Sequence, residues 1–334
     1  MKICFELIKA NSGVDVWTFN LSKALRGLGV ETVINEYSHG YQFCPDLLRF
    51  SMKKTKADIV HASSLHAFAF KRDVPLVVTE HLVVNDKAYD KYKDIPQKLF
   101  HGLVYGFERR SFLAADKIVC VSDYTKDKVK EIFGFDPVRI HNGIDIKRFF
   151  PGKVEGNRLN ISRGKIVLLF VGNMSKRKGA DLLPGIMKAL GEDFVLICTS
   201  GLRKAVEKVQ DNIYVIGKLS QDELVDYYNL CDMFVFPTRL EGLSLSVAEA
   251  MSCGKPIVTT RCASLPEQVV DGEGGFLCGI DDTGDFVEKI RILAGDPVLR
   301  KKFGVFNRER TERSFSIEKM ARNYLELYTS LVSS

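Results

Sequence analysis

Short apolar runs alternate with amphipathic ones along nearly the whole chain, and few folds accommodate that alternation. Residues 3–8, 30–35, 59–61, 76–79 and 117–121 read as strands buried on both faces, and residues 16–26 read as the first helix between them. Near-continuous apolar strands separated by helical runs predict βα units and parallel sheets. A second cycle starts at 166–171 and continues through 194–199, 214–216, 233–237 and 256–260. Between the cycles, residues 152–164 hold Lys, Asn, Arg and Ser with no apolar stretch, which predicts a domain boundary there. The tail, 317–331, shows Met320, Tyr324, Leu325, Leu327 and Tyr328 near helical period. The expectation is an α/β protein of two Rossmann-like domains, 1–152 and 165–314, followed by a helix in 315–334. At 334 residues, each domain is large enough to bury its own core.

Composition excludes several classes. No apolar run is long enough to span a bilayer. The start, Met1 to Leu7, meets Glu6 too early for a secretion signal, so a cytoplasmic location is expected. The eight cysteines form no C-x-x-C and read as buried free thiols. Net charge is +6, but residues 1–150 carry 23 basic and 18 acidic side chains against 25 and 24 in the remainder. No basic stripe carries interleaved aromatics, which argues against nucleic acid. Residues 43–56 place Leu47, Leu48, Phe50 and Met52 beside Arg49, Lys53, Lys54 and Lys56. That reads as a basic amphipathic helix, either covering the sheet or making a peripheral contact with an anionic membrane face.

The chemistry is concentrated around Glu241 and Glu249. Residues 232–237 read as a buried strand ended by Pro237, and loops after such strands carry ligands in open α/β sheets. Gly242 turns the chain, and a helix follows that Gly254 and Pro256 stop. Its mouth, at Gly242, Leu243 and Ser244, offers backbone N–H groups and the positive end of a dipole to an anion. Glu249, about two turns in, suits hydroxyls instead. Diphosphate at the mouth with hydroxyls to either side describes a nucleotide-sugar. Arg177 and Lys178, in the turn after the strand at 166–171, can neutralise developing phosphate charge.

The run from Glu241 to Glu249 resembles the E-x7-E signature of the retaining GT-B glycosyltransferases of family GT4 (glycosyl transferases group 1). Asp116 to Ser122, Ile140 to Asp145 with Phe149 to Pro151, and Phe170 to Gly179 resemble further family motifs in the same order. The resemblance implies the GT-B fold, two Rossmann-like domains facing across a cleft, with the last helix crossing back to the first domain. It implies a hexosyltransferase that binds its acceptor on the first domain and its donor on the second. It implies catalytic roles for His81, as a sugar contact, and for Lys178 and Glu241. Donor contacts are implied for Gly13, Gly172, Asn173, Arg177, Lys178, Gly217, Leu219, Gly242, Leu243, Ser244 and Glu249, with Glu249 on the ribose. His61 reads as a structural histidine, and Glu80 as pointing away from His81.

Two departures stand out. The family often has arginine at the position of Asn173, and Arg177 is the candidate substitute. The first glycine-rich loop keeps only Gly13, followed closely by Asp15. No D-x-D triplet occurs, so neither metal nor other cofactor is expected. No acid lies in 217–220 to pair with guanine's amino edge. A UDP-sugar is therefore favoured, with GDP-mannose second. The acceptor is expected to be a glycan, a lipid-linked sugar or a small molecule, as in polysaccharide biosynthesis, with residues 85–97 forming a mobile loop beside it. Alternatives are a nucleotide-sugar epimerase or hydrolase of the same fold, and a non-catalytic nucleotide-sugar-binding protein.

Overall fold

The computed structural model describes every residue except 11, 155–160, 162–163, 200–206, 211, 218 and 334. The chain forms two compact units, Met1–Gly143 with Ser316–Ser334, and Ile144–Phe315. The units part ahead of the polar connector at 152–164. Residues 144–152 belong to the second unit because their backbone is tied there. Gly152 donates to Asn229 at 2.9 Å, and Arg308 donates to the Phe149 carbonyl at 2.8 Å.

The first unit runs β1 (Lys2–Ile8), α1 (Gly13–Gly27), β2 (Glu31–Tyr37), α2 (Leu48–Ser51), β3 (Ile59–Ser63), β4 (Leu76–Glu80), α3 (Ile95–Ala114), β5 (Lys117–Cys120), α4 (Asp123–Phe133) and β6 (Val138–Arg139). Its sheet order is β2-β1-β3-β4-β5-β6, and every pair is parallel. Side chains alternate between two covered faces, as a parallel sheet requires. Ile3, Phe5, Ile59, Val77 and Val119 pack on Trp17, Leu21 and Leu25 of α1. Val60, Ala62, Val78 and Cys120 pack on Phe112 of α3 and Val129 of α4.

The second unit runs β7 (Ile166–Val171), α5 (Leu183–Leu190), β8 (Phe194–Thr199), β9 (Glu207–Gln210), β10 (Ile213–Ile216), α6 (Gln221–Leu230), β11 (Met233–Phe236), α7 (Leu245–Ser252), β12 (Ile257–Thr260), α8 (Leu265–Gln268), β13 (Gly275–Cys278), α9 (Thr283–Gly295) and α10 (Pro297–Ser314). Its strand order is β13-β12-β11-β7-β8-β10-β9, parallel except for the antiparallel β9–β10 pair. The last helix, α11 (Ile317–Val332), belongs to the first unit. Its Met320, Ala321, Tyr324 and Tyr328 complete the core around Trp17. Tyr328 Oη lies 2.6 Å from His61 Nδ1, while Thr79 Oγ1 lies 2.7 Å from His61 Nε2. Both ring nitrogens of His61 are thus occupied inside the core.

Three local expectations are corrected. Residues 43–56 do not form one helix. They form a short 3-10 turn at Pro45–Leu47, the single turn of α2, and extended chain from Met52 onward. Pro45 opens the helical stretch at its first position, and the stretch ends where Met52 turns extended. Residues 85–97 are not a loose loop either. Lys87–Tyr92 is a 3-10 helix capped by Asp86, with Tyr89 buried, and α3 begins at Ile95. Asp86 also accepts from Tyr124 and faces Lys128 at 3.8 Å. Strands β6, β9 and β13 are additions that the apolar-run reading misses.

Candidate active site

Strand order places the site of the second unit. β7 lies between β11 and β8, so chain segments leaving the carboxyl ends of β7 and β11 emerge side by side at the switch point, where open α/β sheets bind ligands. The first segment is the turn at 172–182 and the second is the loop at 237–244. Gly179 lets them touch: its φ is +71°, and a Cβ there would stand 1.8 Å from the Pro237 carbonyl oxygen. The loops are then laced together. The Arg239 N–H donates to the Arg177 carbonyl at 2.8 Å, and Thr238 Oγ1 donates to that carbonyl at 3.0 Å. The buried Arg239 guanidinium donates to the Lys176 carbonyl, to both Asp181 oxygens at 2.7 and 2.9 Å, and to Asp281 at 2.7 Å.

This lacing brings three expected residues onto one atom. Glu241 Oε1 lies 2.6 Å from Lys178 Nζ and 2.8 Å from Arg177 Nη1. Thr238 Oγ1 is 3.2 Å from the same oxygen. Two cations on one buried carboxylate leave a net positive cluster. Burial lowers the Lys178 pKa to about 8, opposed by the attraction of Glu241. Burial pushes the Glu241 carboxyl up, but Lys178 and Arg177 outweigh it and hold the group below its ordinary value. Glu241 is thus engaged with its own cations rather than turned outward.

Ser244 caps α7, its Oγ accepting from Val247 N–H at 3.4 Å. The Ser244 N–H, expected at the helix mouth for an anion, instead donates to Gln268 Oε1 at 2.9 Å. Gln268 Nε2 donates back to the Ser244 carbonyl at 2.9 Å. That bridge occupies the Ser244 N–H, and the Leu245 and Ser246 amides that open α7 have no acceptor within the helix. Glu249 sits one turn beyond Leu245, not two, because α7 starts only after Ser244. It is buried and accepts from Tyr228 Oη at 2.8 Å. Burial raises its pKa to about 7, with the Tyr228 hydrogen bond opposing.

Gly172 follows β7, and Asn173 after it is exposed, its carbonyl accepting from Ser175 N–H at 2.8 Å. Gly217 and Leu219 follow β10, two strands along from β7. Gly242 and Leu243 lie in the buried stretch between Glu241 and Ser244.

Gly13 and His81 belong to the first unit. Gly13 opens α1, capped by Ser12. Asp15 turns back into its own loop and accepts from the Ala10 N–H at 3.2 Å. His81 follows β4, its ring edge-on to Trp17 with centroids 4.7 Å apart. Burial lowers its pKa to about 3, so the imidazole is neutral near pH 7. The His81 Nε2 and Trp17 Nε1 atoms are both buried without a partner.

Residues that the sequence reading passes over are Arg239, Thr238, Tyr228 and Gln268. Arg239 and Thr238 lie within the run that holds Glu241, which is a signal. Tyr228 and Gln268 reach the site from α6 and α8, and no local pattern marks them.

Residues 165–296 match the family described as glycosyl transferases group 1, and residues 35–148 match the one described as glycosyltransferase family 4. The chain belongs to this glycosyltransferase family. Among its relatives is an uncharacterized glycosyltransferase of Methanocaldococcus jannaschii, 32% identical over 222 residues, covering 65% of this chain and 60% of that protein. The matches span 53–60% of the length of the first curated relatives. Sucrose-phosphate synthase from Thermosynechococcus elongatus is similar in structure, with TM-score 0.84 at 17% identity, covering 100% of this chain and 99% of that one. HepE of Anabaena, in complex with UDP and glucose, gives TM-score 0.78 at 15% identity, covering 99% of this chain and 100% of that one. This family member therefore has the GT-B fold.

Proposed function

We propose that this protein is a retaining hexosyltransferase. It moves a sugar from a nucleoside diphosphate donor, a UDP-sugar in first place and GDP-mannose in second, to a hydroxyl of a glycan, lipid-linked or small-molecule acceptor. The observation that carries this reading is the convergence of Lys178 and Arg177 on Glu241 Oε1, next to the capped mouth of α7 and the buried Glu249. Those two cations can exchange part of their pairing with Glu241 for the diphosphate oxygens, and they stabilise the charge that grows as the glycosyl bond breaks. Glu249 accepts from the ribose hydroxyls, charge-assisted once ionised. Glu241 keeps both cations in place and offers its remaining acceptor capacity to the transferred sugar. His81, neutral and short of one partner at Nε2, has the hydrogen-bonding capacity for a sugar hydroxyl. With two side-chain cations at the diphosphate position, the reaction is expected to proceed without a divalent ion. HepE's complex with UDP supports the uridine preference as an analogy of fold.

The test is calorimetric titration of the whole chain with UDP, GDP and ADP and their hexose conjugates, followed by transfer assays without added metal. Preferential binding of UDP conjugates, with transfer to an acceptor hydroxyl and retained anomeric configuration, is the expected result. Donor breakdown at full rate with no acceptor present would favour the hydrolase alternative. Tight donor binding with no turnover on any acceptor would favour the non-catalytic one.

A further inference from the structure

We infer that the first unit carries a membrane-docking face that binds anionic lipid headgroups, formed jointly by residues 43–56 and the leading half of α3. This goes beyond the transfer reaction and stands independently of it.

Six large apolar side chains are exposed here. Phe50 is 90% exposed, Ile95 74% and Leu99 71%, with Leu103, Phe43 and Leu47 each more than half exposed. Ile95, Leu99 and Leu103 recur every four residues and so form one ridge along α3. The two segments form one face. The Phe43 and Phe100 rings lie 5.6 Å apart, and Phe100 sits one turn before Leu103 on α3. Arg110 of α3 grips both Asp46 oxygens, at 2.9 and 2.5 Å. A cluster of this size is unusual on a protein surface that meets only water.

The chain presents cations on the same segment. Arg49, Lys53, Lys54 and Lys56 are all exposed. Their backbone is pinned from beneath. Arg72 donates to the Lys53 and Thr55 carbonyls at 3.0 and 2.8 Å, and Arg72 is itself held by the buried Glu6. Lys53 N–H donates to Tyr37 Oη at 3.2 Å, and Thr55 Oγ1 lies 3.2 Å from Asn35 Oδ1. The lysines are therefore held at the surface by a buried network. Nearby acids do not cancel them: Asp46 is paired with Arg110, and Asp94 caps α3.

Charge selects the occupant. A second copy docking face to face would gather eight of these cations in one contact, four from each copy, because a two-fold contact uses the same patch on both partners. An anionic bilayer surface takes the apolar side chains into the acyl boundary and meets the lysines with phosphate. No helix among the described residues is long and apolar enough to cross a membrane.

The experiment is co-sedimentation of the full chain with vesicles of phosphatidylcholine alone, and of phosphatidylcholine mixed equally with phosphatidylglycerol. Binding is expected only to the mixed vesicles and should weaken with salt. The double variant K53A/K54A should weaken it by about twenty-five-fold, at roughly fivefold per cation. F50S/L99S should abolish it. Both variants alter exposed side chains and should keep the parent's circular dichroism, melting temperature and UDP affinity. Absence of binding to mixed vesicles overturns the inference, as does equal binding to both compositions. A wild-type dimer that F50S/L99S converts to monomer, with no vesicle binding, also overturns it and assigns the face to self-association.

Discussion

Lys178 Nζ lies 2.6 Å from Glu241 Oε1, and burial holds the lysine pKa down at about 8. Burial disfavours the lysine's charge and the glutamate restores part of it, so the lysine is charged at neutral pH yet loses its proton within reach of ordinary assay conditions.

Turnover should therefore fall as pH rises through about 8, as Lys178 deprotonates. Lys178→Ala should lower kcat by about 10²–10³ while donor Kd changes less, since the growing charge belongs to the transition state. Lys178→Arg should remove the alkaline limb whatever its maximal rate. A pH–rate profile of all three proteins checks this, and an unchanged limb in Lys178→Arg would assign it to another group.

Glu249 should make donor affinity rise with pH through about 7, because the ionised carboxylate is the better acceptor for ribose hydroxyls. Its effect on stability has the opposite sign. The folded-state pKa lies above the ordinary 4.5, so this group's contribution is fully present below about 4.5 and is lost as pH rises to about 7. Glu249→Ala should weaken donor binding by about 1–3 kcal/mol. Tyr228→Phe should shift the affinity limb to higher pH by removing the hydrogen bond that favours ionisation. Calorimetry across pH reads both.

Arg239→Gln should destabilise the protein by about 2 kcal/mol, through loss of the Asp181 and Asp281 pairs around a buried guanidinium. Half-exposed carboxylates soften that loss. The larger effect should be on catalysis, because the turn bearing Lys178 loses the guanidinium ties at Lys176 and Asp181 and keeps the bonds at Arg177 to the Glu241 loop. Chemical denaturation beside kcat separates the two, and an unchanged kcat would make Arg239 purely structural.

Gly179→Ala should cost about 3 kcal/mol or more and lower donor affinity together with it. The added carbon meets the Pro237 carbonyl in a backbone conformation unfavourable to alanine. Thermal melts with and without UDP check this, and a variant of parental stability would mean that the two loops separate cheaply.

Much of this was legible in sequence because it is local. Strands such as Ile166–Val171 and Phe194–Thr199 announce themselves as apolar runs, and the α7 start follows from Gly242 and Ser244. Lys178, Arg177 and Glu241 could be named, but not their meeting on a single oxygen, which arises from β7 and β11 lying side by side across more than sixty residues of chain. For the same reason Tyr228 and Gln268 carry no signal: each enters from a separate helix. The reading of 43–56 as a helix failed from Met52 onward, where the backbone is committed to the Arg72 and Tyr37 network. β13 escaped notice because glycines precede it and its four residues are too few for a period.

The placement of α11 has a consequence for synthesis. Residues 1–143 lack Tyr324 and Tyr328 until the second unit has been made, so Trp17 and His61 wait with an uncovered flank while that contiguous unit folds. Removing residues 316–334 should leave a stable second unit attached to a sticky, chaperone-dependent first one, and a nascent-chain protease assay would show the first unit closing last.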